Sequence, residues 1–309
     1  MELINIFAKL KLVQNEKIRN VADNDKIAYN TPEWKELNEY EHEQSLISPT
    51  PNNPPWNSWV AFGMWVVSVL AVFIVPTLFI TPYIIFIALE GNNSLENIQN
   101  DSTVIVLSIL GTIPAHILTI FFAWFIVTKN NKFSFKQTLG WSHNDFRWFY
   151  HILILIGFFA AAVVVNYFIP EQDNELLRIL RSSRTAVFVV AFLATFTAPM
   201  VEEVIYRGIL YSAIQRSIGV TGAVAIVTAL FAIVHVPQYW GSPGTILLIC
   251  LLSLVLTLVR VRTGNLLPCI VLHTIFNGIQ SLLLILQPYL PENIGGTPEQ
   301  PAVIIRFFT

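Results

Sequence analysis

The sequence has little charge. Only 12% of its 309 residues are Asp, Glu, Lys or Arg, whereas about 25% is usual for a soluble domain, and 54% are apolar. This deficit excludes an ordinary water-soluble enzyme. The sequence also has no basic run, and its formal net charge is −2, which argues against nucleic-acid binding by phosphate neutralisation.

Cysteine is equally scarce. The two cysteines, Cys250 and Cys269, both lie in apolar segments without CxxC or Cys/His zinc spacing, so they are predicted to pack as small apolar side chains. The first 56 residues lack the pattern of a cleavable signal peptide. The first apolar segment is therefore expected to direct the chain to the membrane.

Long apolar stretches dominate what is present. Most of them can cross about 30 Å of hydrocarbon as a helix with a rise of about 1.5 Å per residue. The sequence predicts an all-α fold, a polytopic transmembrane helical bundle of about seven (six to eight) spans. The predicted spans cover residues 57–89, 103–127, 148–170, 186–214, 221–236, 245–259 and 265–287. The first contains Pro76 and Pro82 and is predicted as one tilted or kinked helix.

Lys and Arg residues predict the organisation and orientation of the chain. The bases are concentrated in the N-terminal tail and in alternate loops, so the N-terminus is expected in the cytoplasm of an integral, multi-pass membrane protein, in the plasma membrane if the source is bacterial. The loop near 171–185 is the exception. The predicted parts are an N-terminal tail and linker (1–56), N-terminal transmembrane helices (57–185), a catalytic core (186–287) and a C-terminal tail (288–309).

Two adjacent acids interrupt the fourth apolar stretch. Glu203 and Arg207 are four residues apart and share a helix face, whereas Glu202 is rotated by about 100°. Ionised groups in a membrane helix are costly, so they need a compensating role. Glu203 is the expected ion-pair partner of Arg207. Glu202, without a local cation, is the candidate general base.

Two polar positions on later helices strengthen this hypothesis. His235 ends the fifth stretch, and His273 and Asn277 lie four residues apart on one face of the seventh. With Glu202 they supply a base, a second group to orient water and two hydrogen-bond donors, which are the parts needed to attack a peptide carbonyl. His116, alone in the second span, fits this set less well.

The three motifs together resemble a known family. Glu202 to Arg207 matches EExxxR, Phe231 to His235 matches FxxxH, and His273 to Asn277 matches HxxxN. In this order on successive apolar helices, they resemble the CPBP family, which includes type II CAAX prenyl endopeptidases and bacterial Abi or bacteriocin-immunity relatives. The resemblance covers about residues 186–285.

The resemblance implies an intramembrane endopeptidase. Glu202 would activate water with help from His235, while His273 and Asn277 would stabilise the oxyanion, and Glu203, Arg207 and Phe231 would support them. The family has been described both as metalloendopeptidases and as glutamate-dependent proteases. Zinc on Glu202, His235 and His273 is the alternative, but HExxH is absent and Asn277 is a poor zinc ligand, so no cofactor is favoured.

The sequence leaves alternatives open for the substrate and for the class of function. The expected partners are membrane lipid and a membrane-associated peptide or protein, prenylated or not, that enters from the cytoplasmic side because the loops there are basic. A transporter or proton relay is a different hypothesis, since intramembrane Glu, Arg and His also mark ion pathways. A non-catalytic protein of the bacteriocin-immunity type is a third.

Overall fold

The computed structural model describes residues 48–89, 98, 101–142, 146–170, 172 and 174–289. Within these residues every regular element is a helix, which confirms the all-α prediction. The predicted N-terminal tail up to residue 47 and the C-terminal tail beyond residue 289 lie outside the described residues. All contacts given below lie within the compact unit that begins at Pro49.

The helices follow the apolar stretches closely. They are α1 (Ser58–Leu89), α2 (Ser102–Leu110), α3 (Thr112–Thr128), α4 (Phe135–Leu139), α5 (Trp148–Phe168), α6 (Glu175–Ser182), α7 (Arg184–Phe192), α8 (Ala198–Glu203), α9 (Tyr211–His235), α10 (Pro243–Thr263) and α11 (Leu267–Leu286). Two π-helical segments, π1 (Leu193–Thr197) and π2 (Val204–Leu210), stand on either side of α8. The first stretch is one helix through Pro76 and Pro82, as predicted.

Six described helices are long and apolar enough to cross a membrane, which supports an integral multi-pass protein. The longest, Arg184–His235, is interrupted at Gly219 (φ 82°, ψ 169°), a conformation that a side chain opposes and glycine accepts. The rings of Tyr206 and Phe231 are 5.0 Å apart, although a continuous helix would separate them by roughly 37 Å. The chain therefore turns back at Gly219, and with its two antiparallel halves the described residues contain seven apolar helical segments.

Apolar packing holds the bundle together in two clusters. One joins α1, α3, π2 and α9, and the other joins α5, α10 and α11. Many large apolar side chains face outward, such as Phe73, Leu78 and Ile156. Such an exterior suits hydrocarbon, because the helices already satisfy their backbone groups internally.

The two ends of the bundle differ in what closes them. At one end, residues 49–57 form a strap across the helices: Arg260 donates to Asn52 Oδ1 (3.0 Å), Gln215 donates to the Asn52 carbonyl (2.8 Å), and the Trp56 indole donates to the Ile209 carbonyl (3.1 Å). We call this the strap end. Part of the predicted linker is thus bound firmly to the helices.

The opposite end is formed by the connections around α6 and between α9 and α10. Ser242 donates to the Gln172 carbonyl (2.9 Å), and Arg184 donates to the Tyr289 hydroxyl (3.1 Å). Gly244 lies against the backbone of Ile169, where an added Cβ would stand 2.8 Å from a carbonyl oxygen. We call this the mouth end, because the cavity described below extends toward it.

Candidate active site

The two acids of EExxxR lie on a short α-helix between two π-helical segments. Pro199 lies in the first turn of α8 and has no N–H, so a carbonyl in the preceding turn lacks its helical donor. The side chain of Asn277 supplies one, donating to the Ala194 carbonyl in π1 (2.8 Å). The interrupted helix is thereby joined to α11, and π-helical turns of this kind are frequent at functional sites.

Glu203 is completely buried and holds two partners at once. Its Oε1 accepts hydrogen bonds from Arg207 Nη1 (2.9 Å) and from His273 Nδ1 (2.8 Å). The ion pair with Arg207 was expected from the sequence. The bond to His273 was not, because the relative positions of α8 and α11 have no local sequence signal.

Arg207 is enclosed on every side. Its guanidinium donates to the Ser253 carbonyl (2.9 Å) and hydroxyl (2.8 Å) and to Thr257 Oγ1 (3.3 Å), and its Cζ lies 4.8 Å from the centroid of the Phe231 ring. A buried cation is tolerated only when it is paired and hydrogen-bonded in this way. Arg207 therefore fixes Glu203, and Glu203 in turn fixes the ring of His273.

Glu202 has a different environment from its neighbour. Its side chain is 26% exposed and lines a cavity, and its Oε2 lies 3.9 Å from His273 Nε2. That separation is longer than a direct hydrogen bond. The imidazole of His273 thus stands between the two carboxylates, bonded to Glu203 and facing Glu202.

His235 is oriented by its own helix. Its Nδ1 donates to the Phe231 carbonyl (2.7 Å), and its ring packs against the Phe231 ring with centroids 4.7 Å apart. The Phe231 ring also contacts the ring of His273, at 6.2 Å between centroids. Phe231 of FxxxH is therefore the aromatic spacer that holds Arg207, His235 and His273 around it.

These side chains line a cavity of about 470 Å³. Glu202, His235, His273 and Asn277, the four predicted catalytic residues, all line it. Its walls are otherwise largely apolar, with Phe158, Phe276, Leu248 and Leu252 among them. A carboxylate, two imidazoles and an amide thus converge on one space inside an apolar bundle.

The comparison with family models agrees with the motifs. Residues 184–279 match the model described as type II CAAX prenyl endopeptidase Rce1-like, over about a third of the chain. This segment belongs to the CPBP family. The family is one of CAAX-type intramembrane proteases. Comparisons with curated proteins and with solved structures gave no significant match.

The cavity of this CPBP core extends toward the mouth end. Besides the site residues, it is lined by Leu176 and Ile179 of α6, by Gln238 and Tyr239, and by the half of α11 that approaches the mouth end. No residue of the strap or of the turn around Arg262 lines it. Entry of the substrate from the cytoplasmic side stays a prediction.

The cavity is also lined by a residue that the sequence did not select. His116 of α3 lies outside the matched segment, yet it lines the same cavity as Glu202 and is hydrogen-bonded to Thr197 Oγ1 (3.0 Å) in π1. A lone histidine in a span carries no motif. Its only sequence signal is that a polar group in an apolar helix needs a reason.

The zinc alternative is not supported by the donor arrangement. In the part of the chain that the structure describes, no three His, Cys, Asp or Glu side chains form a group that could hold a metal ion. The Nδ1 atoms of His235 and His273 are hydrogen-bonded to the Phe231 carbonyl and to Glu203, so only the Nε2 atoms could reach a metal. As placed, Glu202, His235 and His273 do not form such a group, and the chemistry below uses side chains of the chain alone.

Proposed function

We propose that this protein is an intramembrane endopeptidase that hydrolyses a peptide bond with water activated by Glu202 and His235. The observation that supports this most strongly is the convergence of Glu202, His235, His273 and Asn277 in one cavity of a CPBP core. A carboxylate base, an imidazole and two donors are the parts that acyl hydrolysis needs.

In the first step, Glu202 binds the attacking water. His235 donates its Nδ1 proton to a carbonyl oxygen, which can only accept, so the neutral ring has an unprotonated Nε2. The water oxygen bonds to the substrate carbonyl carbon while Glu202 takes a proton from the water. His235 orients the water through Nε2. The carbonyl π electrons move to its oxygen, which becomes the oxyanion.

In the same step, His273 and Asn277 stabilise that oxyanion. His273 Nδ1 donates to Glu203, so Nε2 is the ring nitrogen that faces the cavity and, when it carries a proton, donates to the oxyanion. One amide hydrogen of Asn277 is used by Ala194, and the second is available. Donors fixed beforehand in an apolar site avoid the cost of reorganising at the moment of reaction.

In the second step, the tetrahedral intermediate collapses. The carbon–nitrogen bond breaks, the nitrogen takes the proton held by Glu202, and the products are a carboxylic acid and an amine. Glu202 returns to its ionised form. Arg207 takes no part in the proton transfers and acts by holding Glu203, and through it His273, in place.

The cavity favours an apolar substrate. Its walls include the aromatic pair Phe158 and Phe276, whose ring centroids are 4.7 Å apart, and Leu248 and Leu252 of α10. Such a surface suits an isoprenoid or a large apolar side chain next to the scissile bond. A prenylated CAAX-like tail is therefore the substrate to test first.

The test uses the full chain in lipid vesicles and an internally quenched peptide carrying a farnesylated cysteine near its C-terminus. The wild type should cleave it, and the Glu202→Gln and His235→Ala variants should not. Asp101→Asn, a carboxyl-to-amide change at the N-terminus of α2, is the matched control and should retain cleavage. An unprenylated peptide measures the contribution of the lipid. Equal cleavage by wild type and Glu202→Gln would contradict the proposal.

A further inference from the structure

His116 is the polar group of the cavity that the proposed chemistry does not use. It belongs to α3, whereas the four proposed catalytic residues all belong to the segment 184–279. Glu202 lies on α8, which packs against both α3 and α11. Glu202 thus shares its cavity with two imidazoles from different helices, His273 from α11 and His116 from α3.

The hydrogen-bond pattern around Thr197 assigns the proton of His116 to one nitrogen. The Thr197 hydroxyl has one hydrogen, which it donates to the Leu193 carbonyl (3.3 Å). With that hydrogen used, the same oxygen accepts from His116, which assigns Nδ1 as the donor across 3.0 Å. In the neutral ring, Nε2 is then an acceptor, and it makes no hydrogen bond to the described residues.

A peptide substrate in this cavity needs hydrogen-bond acceptors such as the unprotonated Nε2 of His116. An extended peptide presents backbone N–H groups, and each one buried without a partner costs free energy comparable to a lost hydrogen bond. Glu202 is occupied by the attacking water and His273 by the oxyanion in the proposed reaction. The ring of His116, anchored at one nitrogen and free at the other, is suited to bind such an N–H.

We propose that His116 positions the substrate by accepting a backbone N–H at Nε2, with Thr197 holding the ring. This inference rests on the proposed function and deepens it. His116 takes no proton from water in this scheme. It lies outside the EExxxR, FxxxH and HxxxN motifs, so the helices before residue 184 contribute directly to substrate binding.

The experiment measures kcat and KM for the farnesylated quenched peptide. In His116→Asn, the amide replaces the Nδ1–H donor to Thr197 but removes Nε2, and KM should rise about two- to tenfold, as expected for one neutral hydrogen bond, with kcat within about twofold. In His116→Gln, the longer side chain places a polar atom near the Nε2 position, and KM should recover. Thr197→Val releases the ring and should raise KM by a smaller factor.

Thr119→Val is the matched control, because Thr119 lies on the same helix as His116, is buried away from the cavity and makes no side-chain hydrogen bond. Its KM should equal that of the wild type. An unchanged KM in His116→Asn, or a fall in kcat without a change in KM, would overturn the inference. If the wild type cleaves no peptide, the proposed function has failed instead. Binding of the same peptide to Glu202→Gln, with and without His116→Asn, then tests the inference alone.

Discussion

Glu202 and Glu203 mark the border between two unlike regions. On the strap side, all seven residues of π2 are buried, and Arg207 is bonded to the chain on every side. On the mouth side, π1, α8 and α11 border the cavity, and the polar groups there retain unused donors and acceptors. Two adjacent glutamates therefore differ in their surroundings. The carboxylate of Glu203 is bonded to Arg207 and His273, whereas that of Glu202 faces the cavity and is available to a ligand.

The largest effect is expected at the carboxylate on the open side. Glu202→Gln should lower turnover about 10²–10⁴-fold, because the proton acceptor is removed while the side-chain shape is kept. Its folded yield and thermal unfolding temperature should stay close to wild type, since Glu202 makes no direct hydrogen bond to the described residues and lies 3.9 Å from His273 Nε2. Peptide cleavage and thermal unfolding in detergent measure the two properties. A loss of folded protein as large as that of Glu203→Gln would show that both acids are structural.

The neighbouring acid should behave in the opposite way. Glu203→Gln leaves Arg207 buried without its counter-ion and should lower the free energy of unfolding by about 3–5 kcal/mol. The double variant Glu203→Leu/Arg207→Met removes both charges and should recover part of this stability but not the activity, because His273 has lost its acceptor. Unfolding in detergent and cleavage per folded molecule check both statements. Full activity in the double variant would contradict the role of Glu203 in holding His273.

The open and closed sides should also differ in chemical access. In a background with Cys250→Ala and Cys269→Ala, a cysteine at Gln238 lies in the cavity wall and one at Arg262 lies on the strap side. Maleimide labelling at position 238 should lower the cleavage rate about tenfold or more, because the label blocks the cavity. A tenfold change corresponds to about 1.4 kcal/mol. Labelling at position 262 should change it by less than about twofold. The reverse result would place the entrance beside the basic loops.

The smallest effect concerns the turn that brings the two sides together. Gly219→Ala should lower the free energy of unfolding by about 1–2 kcal/mol, because φ is positive there while the surrounding space is open. Gly157→Ala is the matched control: it lies within α5, also in open space, and should be neutral or stabilising by about 0.5–1 kcal/mol. Thermal unfolding of the two variants compares them directly. Equal effects would mean that the turn at Gly219 is not strained.

The sequence by itself predicted the helical bundle, its single first helix and the ion pair of Glu203 with Arg207. These follow from local rules: apolar length predicts a span, and a spacing of four residues places two side chains on one helix face. It also identified Glu202, His235, His273 and Asn277, which the structure brings into one cavity.

Only the tertiary structure showed which side chains these residues contact and where the cavity lies. The bond between His273 and Glu203, the presence of His116 and Glu202 in one cavity and the extension of that cavity toward the mouth end all join helices that are distant in sequence. Spanning helices such as α1, α3 and α5 have nearly the same apolar composition on all sides, so their patterns do not specify which neighbours they contact. Small-residue contacts, the interruptions around α8 and the hydrogen bonds of buried polar groups decide that packing, because in an apolar bundle those groups have few partners to choose from.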